Sequence, residues 1–547
     1  MELSPTGYLD TFARDNLPPA ELWPELEFTI DDVTYPDRLN AATALIDEPT
    51  ARFGPDRMAL TTPDGDIWTY GQLLSRSNQV ARVLIEDYGV VPGNRVILRA
   101  PNNPWLVAAW LGSLKAGAVV VTTMPLLRAA EVDKLLELTK PTVAITDHRF
   151  LDDIQVPAAD RAVPVIPVGG DTEADLGIIS AGKDTTFDNV ETAADDVALL
   201  CPTSGTTGVP KVTMHFHRDI LINADTFARH IVKVRPDDIC TCSAPLAFTF
   251  GLGALVVFPL YFGAASLMVE KAAPIDLATY AAEAGVTVLY TAPTAYRVIV
   301  KEGRGDLLKG VRVAVSAGEH LPKQTRESVY EATGLKLIDG IGGTEMLHVF
   351  ISAAGDDIRS GAVGKPVPGF RAVILDESGN ELPDNEPGRL AVRGPLGCRY
   401  LNDSRQTNYV VDGWNVTGDT FYRDEDGYFV YQARSDNMIV SSGYNIGAPE
   451  VETAINEHPD VLECAVVAKP DEERGSLVTA FIVLSQTSEA SEMKVKEIQN
   501  FVKAQIAPYK YPREIRFVTE LPKNPSGKLQ HFKLREILQT EAVPTAV

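Results

Sequence analysis

The spacing of apolar residues changes repeatedly along the first third of the chain. From Tyr70 to Tyr88 they recur at helical intervals, which predicts an amphipathic helix, and Arg95 to Leu98 is an apolar run of strand length. Trp105 to Ala116 again reads as a helix, ended by Gly117, and Ala118 to Thr122 as a β-branched strand. Further strands are predicted at Thr142 to Thr146, Val197 to Cys201, Ala265 to Val269, Thr287 to Tyr290 and Val311 to Ser316. Helix and strand in alternation imply parallel sheet covered by helices. After about Phe370 the texture shifts to short strands with turn signals, as in Arg371 to Leu375, the turn Glu377-Ser378-Gly379-Asn380 and Gly388 to Arg393. Beyond Arg434 it shifts again: Val451 to Glu457 and Val495 to Ala507 read as helices, Leu462 to Ala468 and Leu477 to Leu484 as strands.

These textures predict an α/β protein with a large N-terminal body over residues 1–434, made of layered α/β subdomains plus a β-rich subdomain at about 370–434. A small α+β C-terminal domain over 438–547 follows, and the polar run Ala433-Arg434-Ser435-Asp436-Asn437 places the expected hinge at 435–437. The stretch from Ile239 to Val269 carries no charge and is long enough to span a bilayer. Pro245, Gly251, Gly253, Pro259 and Gly263 divide it into core-sized pieces, so a buried helix and strand are expected, with Cys240 and Cys242 on one strand face.

Composition narrows the function. Lysine plus arginine total 50 against 74 aspartates and glutamates, a formal charge of −24 over 547 residues. That balance excludes a protein that neutralises nucleic-acid phosphates with a basic face. An anionic ligand must instead be held by local backbone N–H groups, placed cations or a metal. The five cysteines (Cys201, Cys240, Cys242, Cys398, Cys464) form no C-x-x-C pair, which fits a reducing compartment. Met1 to Asp10 lacks the basic-then-apolar pattern of a leader, so a cytoplasmic monomer or homodimer with no membrane partner is expected.

The strongest local signal is Thr203-Ser204-Gly205-Thr206-Thr207-Gly208-Val209-Pro210-Lys211, directly after an apolar strand. Its glycines let the backbone fold into an anion-binding nest, its hydroxyls add donors, and Lys211 adds a cation. It is not a Walker A loop, because Pro210 precedes the lysine and no Ser or Thr follows it. By composition alone, a hydroxyl-rich surface turn fits the segment equally well.

The loop resembles the signature of the adenylate-forming superfamily of acyl-CoA synthetases, peptide-synthetase adenylation domains and luciferases. Other segments match in the same order: Trp110 to Gly117, Ser316-Ala317-Gly318-Glu319, Asp339 to Glu345, Thr417-Gly418-Asp419, Arg434-Ser435-Asp436, Ser442-Gly443-Tyr444 and Asn524-Pro525-Ser526-Gly527-Lys528. The resemblance runs from about residue 50 to residue 535.

It implies that ATP and AMP are bound by Thr203, Ser204, Gly205, Thr206, Thr207 and Gly208, with Ala317, Gly318 and Glu319 beside the adenine. It further implies Asp339, Gly340, Ile341, Gly342 and Thr344 around the nucleotide, and Asp419 with Arg434 at the ribose. The implied catalytic set is Lys528, Glu345, Thr344 and Lys211, with Glu345 as the oxygen ligand for Mg²⁺. Each choice also makes chemical sense, since charge must be stabilised on both sides of one phosphorus while a carboxylate displaces pyrophosphate. Coenzyme A is the implied second substrate, near Ser442, Gly443, Tyr444 and Arg474, with Lys510 and Arg513 as further cations and Asp436 as the hinge about which the small domain turns between half-reactions.

Asp339 to His348 is similar to benzoate-CoA ligases, while Tyr8 to Pro19 and Met214 to Asp219 look more like 2-aminobenzoate-CoA ligases. The resemblance therefore implies an aryl acid-CoA ligase, with 2-aminobenzoate ahead of salicylate or benzoate, and a flat apolar slot formed by Ala247, Phe248, Phe250, Gly251, Gly342, Gly343 and His348. His348 is the candidate polar contact to a ring substituent; a core role for Phe248, Phe250 or His348 is the competing reading. The spacing of His215, His217 and His230 calls for no metal, and a helix-start role suffices for His217. Two positions depart from the pattern: Val440 stands where benzoate ligases often have lysine, and Val212 where glycine commonly follows the loop lysine. A standalone domain loading an aryl acid onto a carrier protein would share these motifs, although no carrier-like segment follows Lys528.

Overall fold

A computed structural model describes residues 3–203, 210–434, 438–441, 444–471, 474–485, 488–506, 510–523 and 529–542. By its internal contacts the chain divides into two compact units, residues 1–372 with 392–416 and residues 373–391 with 417–547.

The first unit contains two sheets. In one, Val165–Val168, Val143–Asp147, Arg95–Arg99, Val119–Thr123 and Val197–Thr203 lie parallel in that spatial order. The three strands from Val143–Asp147 to Val119–Thr123 are buried at every position, as parallel strands covered on both faces must be. Lys211–Phe216 closes this sheet antiparallel, with Lys211 opposite Thr203 across the phosphate loop. The second sheet has nine strands, in the order Lys365–Pro366, Val349–Ser352, Ile338–Gly342, Val313–Ser316, Val288–Thr291, Ile239–Cys242, Ala265–Leu267, Met58–Thr61 and Ile67–Thr69. Its six strands from Ile338–Gly342 to Met58–Thr61 are parallel, and antiparallel strands finish both edges. The alternating texture read from the sequence is thus the texture of two parallel sheets.

The helices follow from local chemistry. Tyr70–Arg82 starts on a reciprocal capping box between Thr69 and Gln72, and Pro104–Lys115 starts on Asn103, whose side chain accepts from Leu106 N–H at 3.0 Å. A Cβ on Gly112 would lie 2.7 Å from both the Ser77 carbonyl and the Val80 Cβ, so glycine lets these two helices approach. Lys115 is buried and donates to both carboxylate oxygens of Asp47, at 2.7 and 2.6 Å. The Trp110 to Gly117 motif is therefore a packing joint. The uncharged stretch becomes the strand Ile239–Cys242, a helical run from Thr249 to Tyr261 and the strand Ala265–Leu267. Among the described residues no helix is long and apolar enough to cross a membrane. Cys240 and Cys242 are buried on their strand, and the other three cysteines are buried as well.

A five-stranded sheet is ordered Arg371–Leu375, Gly388–Arg393, Trp414–Arg423 and Val410–Val411, with Phe429–Arg434 paired to Trp414–Arg423. In the second unit the hairpin Met438–Ser441/Tyr444–Gly447 precedes a three-stranded sheet of Val461–Asp471, Gly475–Leu484 and Glu514–Phe517. Its strands alternate cleanly. Cys464, Val466, Ala480 and Ile482 face the helices Ala448–Asn456 and Glu492–Gln505, while Ala465, Val467, Phe481 and Val483 face Leu534 and Leu538 of His531–Ala542.

Candidate active site

Ligands of open parallel sheets gather where loops leave the carboxyl ends of strands. Val313–Ser316 and Ile338–Gly342 are neighbours, with Ser316 opposite Asp339, so Ala317-Gly318-Glu319 and Gly340 to Gly343 emerge at the same edge. Gly318 has φ +89° with open space around its absent Cβ, so conformation alone demands glycine there. Glu319 is exposed and accepts from the Thr294 hydroxyl at 2.7 Å. Asp339 turns inward: it accepts from Gly340 N–H at 3.0 Å and lies 3.5 Å from Arg326, and burial raises its pKa to about 7 against the opposing pull of Arg326.

After Gly342 the chain reverses in a few residues. Thr344–Met346 forms a single 3₁₀ turn, and Leu347 then takes φ +59°, with His348 N–H bonded to the Met346 carbonyl at 2.6 Å. This γ-turn is a strained geometry for a residue with a side chain. The strand Val349–Ser352 then returns antiparallel. A Cβ on Gly342 would collide with the His348 carbonyl, so the reversal needs glycine at that point. Glu345 and His348 consequently leave opposite arms of one turn.

Glu345 enters a charged cluster. The Tyr400 hydroxyl donates to Glu345 Oε1 at 2.6 Å and accepts from Lys211 Nζ at 2.7 Å, while Lys211 Nζ lies 3.5 Å from the same Oε1. Alternation along Lys211–Phe216 puts Lys211, Thr213 and His215 on one side of that strand. Thr213 pairs in a bridge with Tyr400, and His215 Nε2 donates to the Thr344 carbonyl at 2.8 Å. His215 is buried, which lowers its pKa to about 4 and keeps it neutral near pH 7. One strand thereby holds both the loop lysine and the turn carrying Glu345. Among the described residues no further metal-ligating side chains gather at Glu345; the one such cluster, His458, Asp460 and Glu497, is in the second unit, where Lys494 pairs with both acids. A partly exposed carboxylate whose recorded hydrogen bonds fall on one oxygen fits Mg²⁺, which takes few protein ligands and completes its shell with phosphate oxygens and water.

His348 enters an aromatic cage. Its ring is stacked on Phe250 at 5.4 Å, meets Phe258 edge-on at 4.7 Å and lies 5.2 Å from Phe227. Neither ring nitrogen makes a well-formed hydrogen bond; burial lowers the pKa to about 3, and the nearby Phe250 backbone, the one polar group that favours the charged ring, opposes this only in part. Tyr290 joins the cage, 6.0 Å from Phe250, and its buried hydroxyl is also without a partner. A Cβ on Gly253 would stand 2.5 Å from His348 Cδ2, so that glycine leaves the room the imidazole occupies. The segment bearing Ala247 and Phe248 is tied to the other sheet: Asn102 donates to the Ala244 carbonyl at 3.1 Å and accepts from Leu246 N–H at 2.7 Å, and the Thr122 hydroxyl donates to the Ala247 carbonyl at 3.0 Å. Gly251 packs its α-carbon against the Pro245 carbonyl, where no side chain fits.

The remaining expected residues divide by place. Thr203 is described, with its buried hydroxyl unpartnered, whereas Ser204, Gly205, Thr206, Thr207, Gly208, Asp436, Ser442, Gly443 and Lys528 lie outside the described residues. In the second unit Asp419 and Arg434 are direct partners across an antiparallel ladder, and Gly418, at φ +77°, makes the bend before Asp419. Tyr444 opens a strand, and Arg474 N–H donates to Asp471 at 2.8 Å. Lys510 is paired with Glu450 at 2.6 Å, and Arg513 donates to the Tyr511 hydroxyl at 3.0 Å. His217 Nδ1 accepts from Ala41 N–H at 3.1 Å, which leaves the proton on Nε2 facing the Tyr8 hydroxyl 3.1 Å away; it is a satisfied core histidine at a helix start. Sequence reasoning missed Tyr400, Gly253, Asn102 and the cage residues Phe227, Phe258 and Tyr290.

Two family models match the chain: AMP-binding enzyme over residues 47–399 and AMP-binding enzyme C-terminal domain over 450–528. The chain belongs to the AMP-binding enzyme family, the adenylate-forming superfamily, in its aryl-CoA ligase branch. It is 34% identical to a benzoate–CoA ligase of Thauera aromatica over 92% of this chain and 97% of that protein. The solved anthranilate CoA ligase AuaEII in complex with anthranoyl-AMP is similar with a TM-score of 0.88 and 32% identity, covering 94% of this chain and 100% of that one. A benzoate CoA ligase of Burkholderia xenovorans LB400 is similar with a TM-score of 0.82 and 31% identity, covering 91% and 100%.

Proposed function

We propose that this AMP-forming acid–CoA ligase activates an aromatic carboxylate, 2-aminobenzoate ahead of salicylate or benzoate, in the cytoplasm. The reading is carried by His348, whose two unpartnered nitrogens sit inside a cage of aromatic rings. A buried polar group without a partner costs about 1–3 kcal/mol, a cost that a ligand removes when it supplies the missing bond. Neutral imidazole offers one donor and one acceptor, which suits an ortho amino or hydroxyl group on a ring lying against Phe248 and Phe250. Likeness to a structure holding anthranoyl-AMP supports the same choice.

In the first half-reaction a carboxylate oxygen attacks the α-phosphorus of ATP; the new P–O bond forms as the bond to the leaving pyrophosphate breaks. Lys211 and the loop donors oppose the accumulating charge, Thr344 sits beside the reacting phosphate, and Lys528 approaches the carboxylate from the small domain. Glu345 would hold Mg²⁺, which when bound offsets phosphate charge. In the second half-reaction the CoA sulfur attacks the acyl carbon, the C–O bond to AMP breaks, and the thiol proton passes to solvent. Asp436 is the proposed pivot between the steps and Gly443 the point where the pantetheine arm passes.

The test is ATP- and CoA-dependent AMP release with CoA-thioester detection over 2-aminobenzoate, salicylate, benzoate and medium-chain fatty acids. Preference for a fatty acid overturns the aryl reading. Lys528→Ala is expected to abolish adenylation while sparing thioester formation from supplied aryl-adenylate.

A further inference from the structure

We propose that Tyr400 is a positioning residue for adenylation, its hydroxyl bridging the Lys211–Glu345 ion pair and holding it open at 3.5 Å, so that each group stays available to phosphate and metal. The inference rests on the ligase reading above. Tyr400 is fully buried, and its backbone is fixed from three directions: a bridge to Thr213, Leu401 N–H bonded to the Val212 carbonyl at 2.9 Å, and its own N–H bonded to Gln406 at 2.9 Å. Lys211 Nζ lies 4.6 Å from the ring centroid, so ring and hydroxyl both hold the lysine. The hydroxyl uses its one proton on Glu345 and its lone pair on Lys211.

The consequence concerns what the two charges do without the bridge. Lys211 and Glu345 keep side-chain exposures of 22% and 15%, so each retains access to a ligand, and they stand 3.5 Å apart. Deleting the hydroxyl removes the group that bridges both, and the existing 3.5 Å ion pair then tightens. A tightened ion pair turns Lys211 away from phosphate and engages more fully the carboxylate that would meet the cation.

Tyr400→Phe keeps the ring and tests the hydroxyl. The magnesium concentration for half-maximal pyrophosphate release is expected to rise about tenfold, and calorimetric affinity for Mg·ATP to fall by a similar factor. Thioester formation from supplied aryl-adenylate should stay within about twofold per folded molecule, with Glu345→Gln and Tyr400→Phe non-additive in the adenylation step. The half-maximal magnesium concentration does not depend on the folded fraction, so it reads the proposal even if the variant is less stable. An unchanged magnesium dependence and Mg·ATP affinity overturns it, as does equal loss of both half-reactions per folded molecule. Absence of aryl-adenylate from the unsubstituted enzyme would instead defeat the substrate reading.

Discussion

Glu345 and His348 are three residues apart and leave the same reversal of chain, yet their surroundings are opposite. Glu345 is met by a hydroxyl donor and a cation, so its charge is satisfied before any ligand arrives. His348 is caged by aromatic rings, with the Phe250 backbone its one polar neighbour, neither nitrogen in a well-formed hydrogen bond and its proton affinity driven down by burial. The contrast separates two tasks. A charged site that works on phosphate must hold its groups in place in advance, because reorganisation during reaction raises the barrier. A site that selects an acid gains discrimination from polar groups that only the right ligand satisfies.

Changes at each arm should break this comparison in different ways. The largest effect is expected from Glu345→Gln, with adenylation falling roughly 10²–10³-fold in pyrophosphate-release assays. Its melting temperature should barely move, because an amide oxygen still accepts from Tyr400. Next comes Gly253→Ala, whose new methyl lands on His348 and Phe258; overpacking of this kind costs about 1–3 kcal/mol in denaturant unfolding. Its KM for the aryl acid should rise while KM for ATP stays constant.

His348→Phe should lower the preference for 2-aminobenzoate over benzoate roughly tenfold, with no loss of stability, since a phenyl ring leaves no polar atom unmet. A fall in stability with unchanged preference would return His348 to a core role.

The smallest effect is on acid sensitivity. The pKa of His348 is lowered from 6.5 to about 3, so the unfolded chain binds its proton first and stability is lost as pH falls below 6.5. His215 and His217, lowered to about 4 and about 3, act in the same direction. His348→Phe removes one such proton, and its unfolding free energy should fall less steeply with acid, by at most about 1.4 kcal/mol per pH unit.

Much of the architecture was legible because a helix and a strand impose different local periods. Arg371–Leu375 and Gly388–Arg393 match the sequence reading at both ends, and Pro104–Lys115 and Val119–Thr123 differ from theirs by single residues. The reversal at Gly342 to His348 was legible as a motif, since its glycines answer to a close backbone approach. Tyr400 was not: it reaches Lys211 across 189 residues through a bridge outside the main sheet, and no spacing rule connects them. Phe227 and Phe258 fall on helical faces where an aromatic residue looks like any other core residue. Asn102, which ties the Phe248 segment to the other sheet, reads in sequence as an ordinary turn residue.

The sequence by itself determined the alternation of helices with parallel strands, the small α+β C-terminal unit, the family motifs and the placement of the glycines, because each is a matter of local period or local conformation; the division of the strands into two sheets came only with the tertiary structure. Only the tertiary structure decided which polar groups are satisfied and which are left waiting. Glu345 and Lys211 are bridged by a tyrosine from a distant segment, whereas the polar atoms of His348 and Tyr290 are enclosed by rings and left without a well-formed hydrogen bond. Burial and hydrogen bonding are set by distances between residues remote along the chain, and those distances exist only once the sheets have packed.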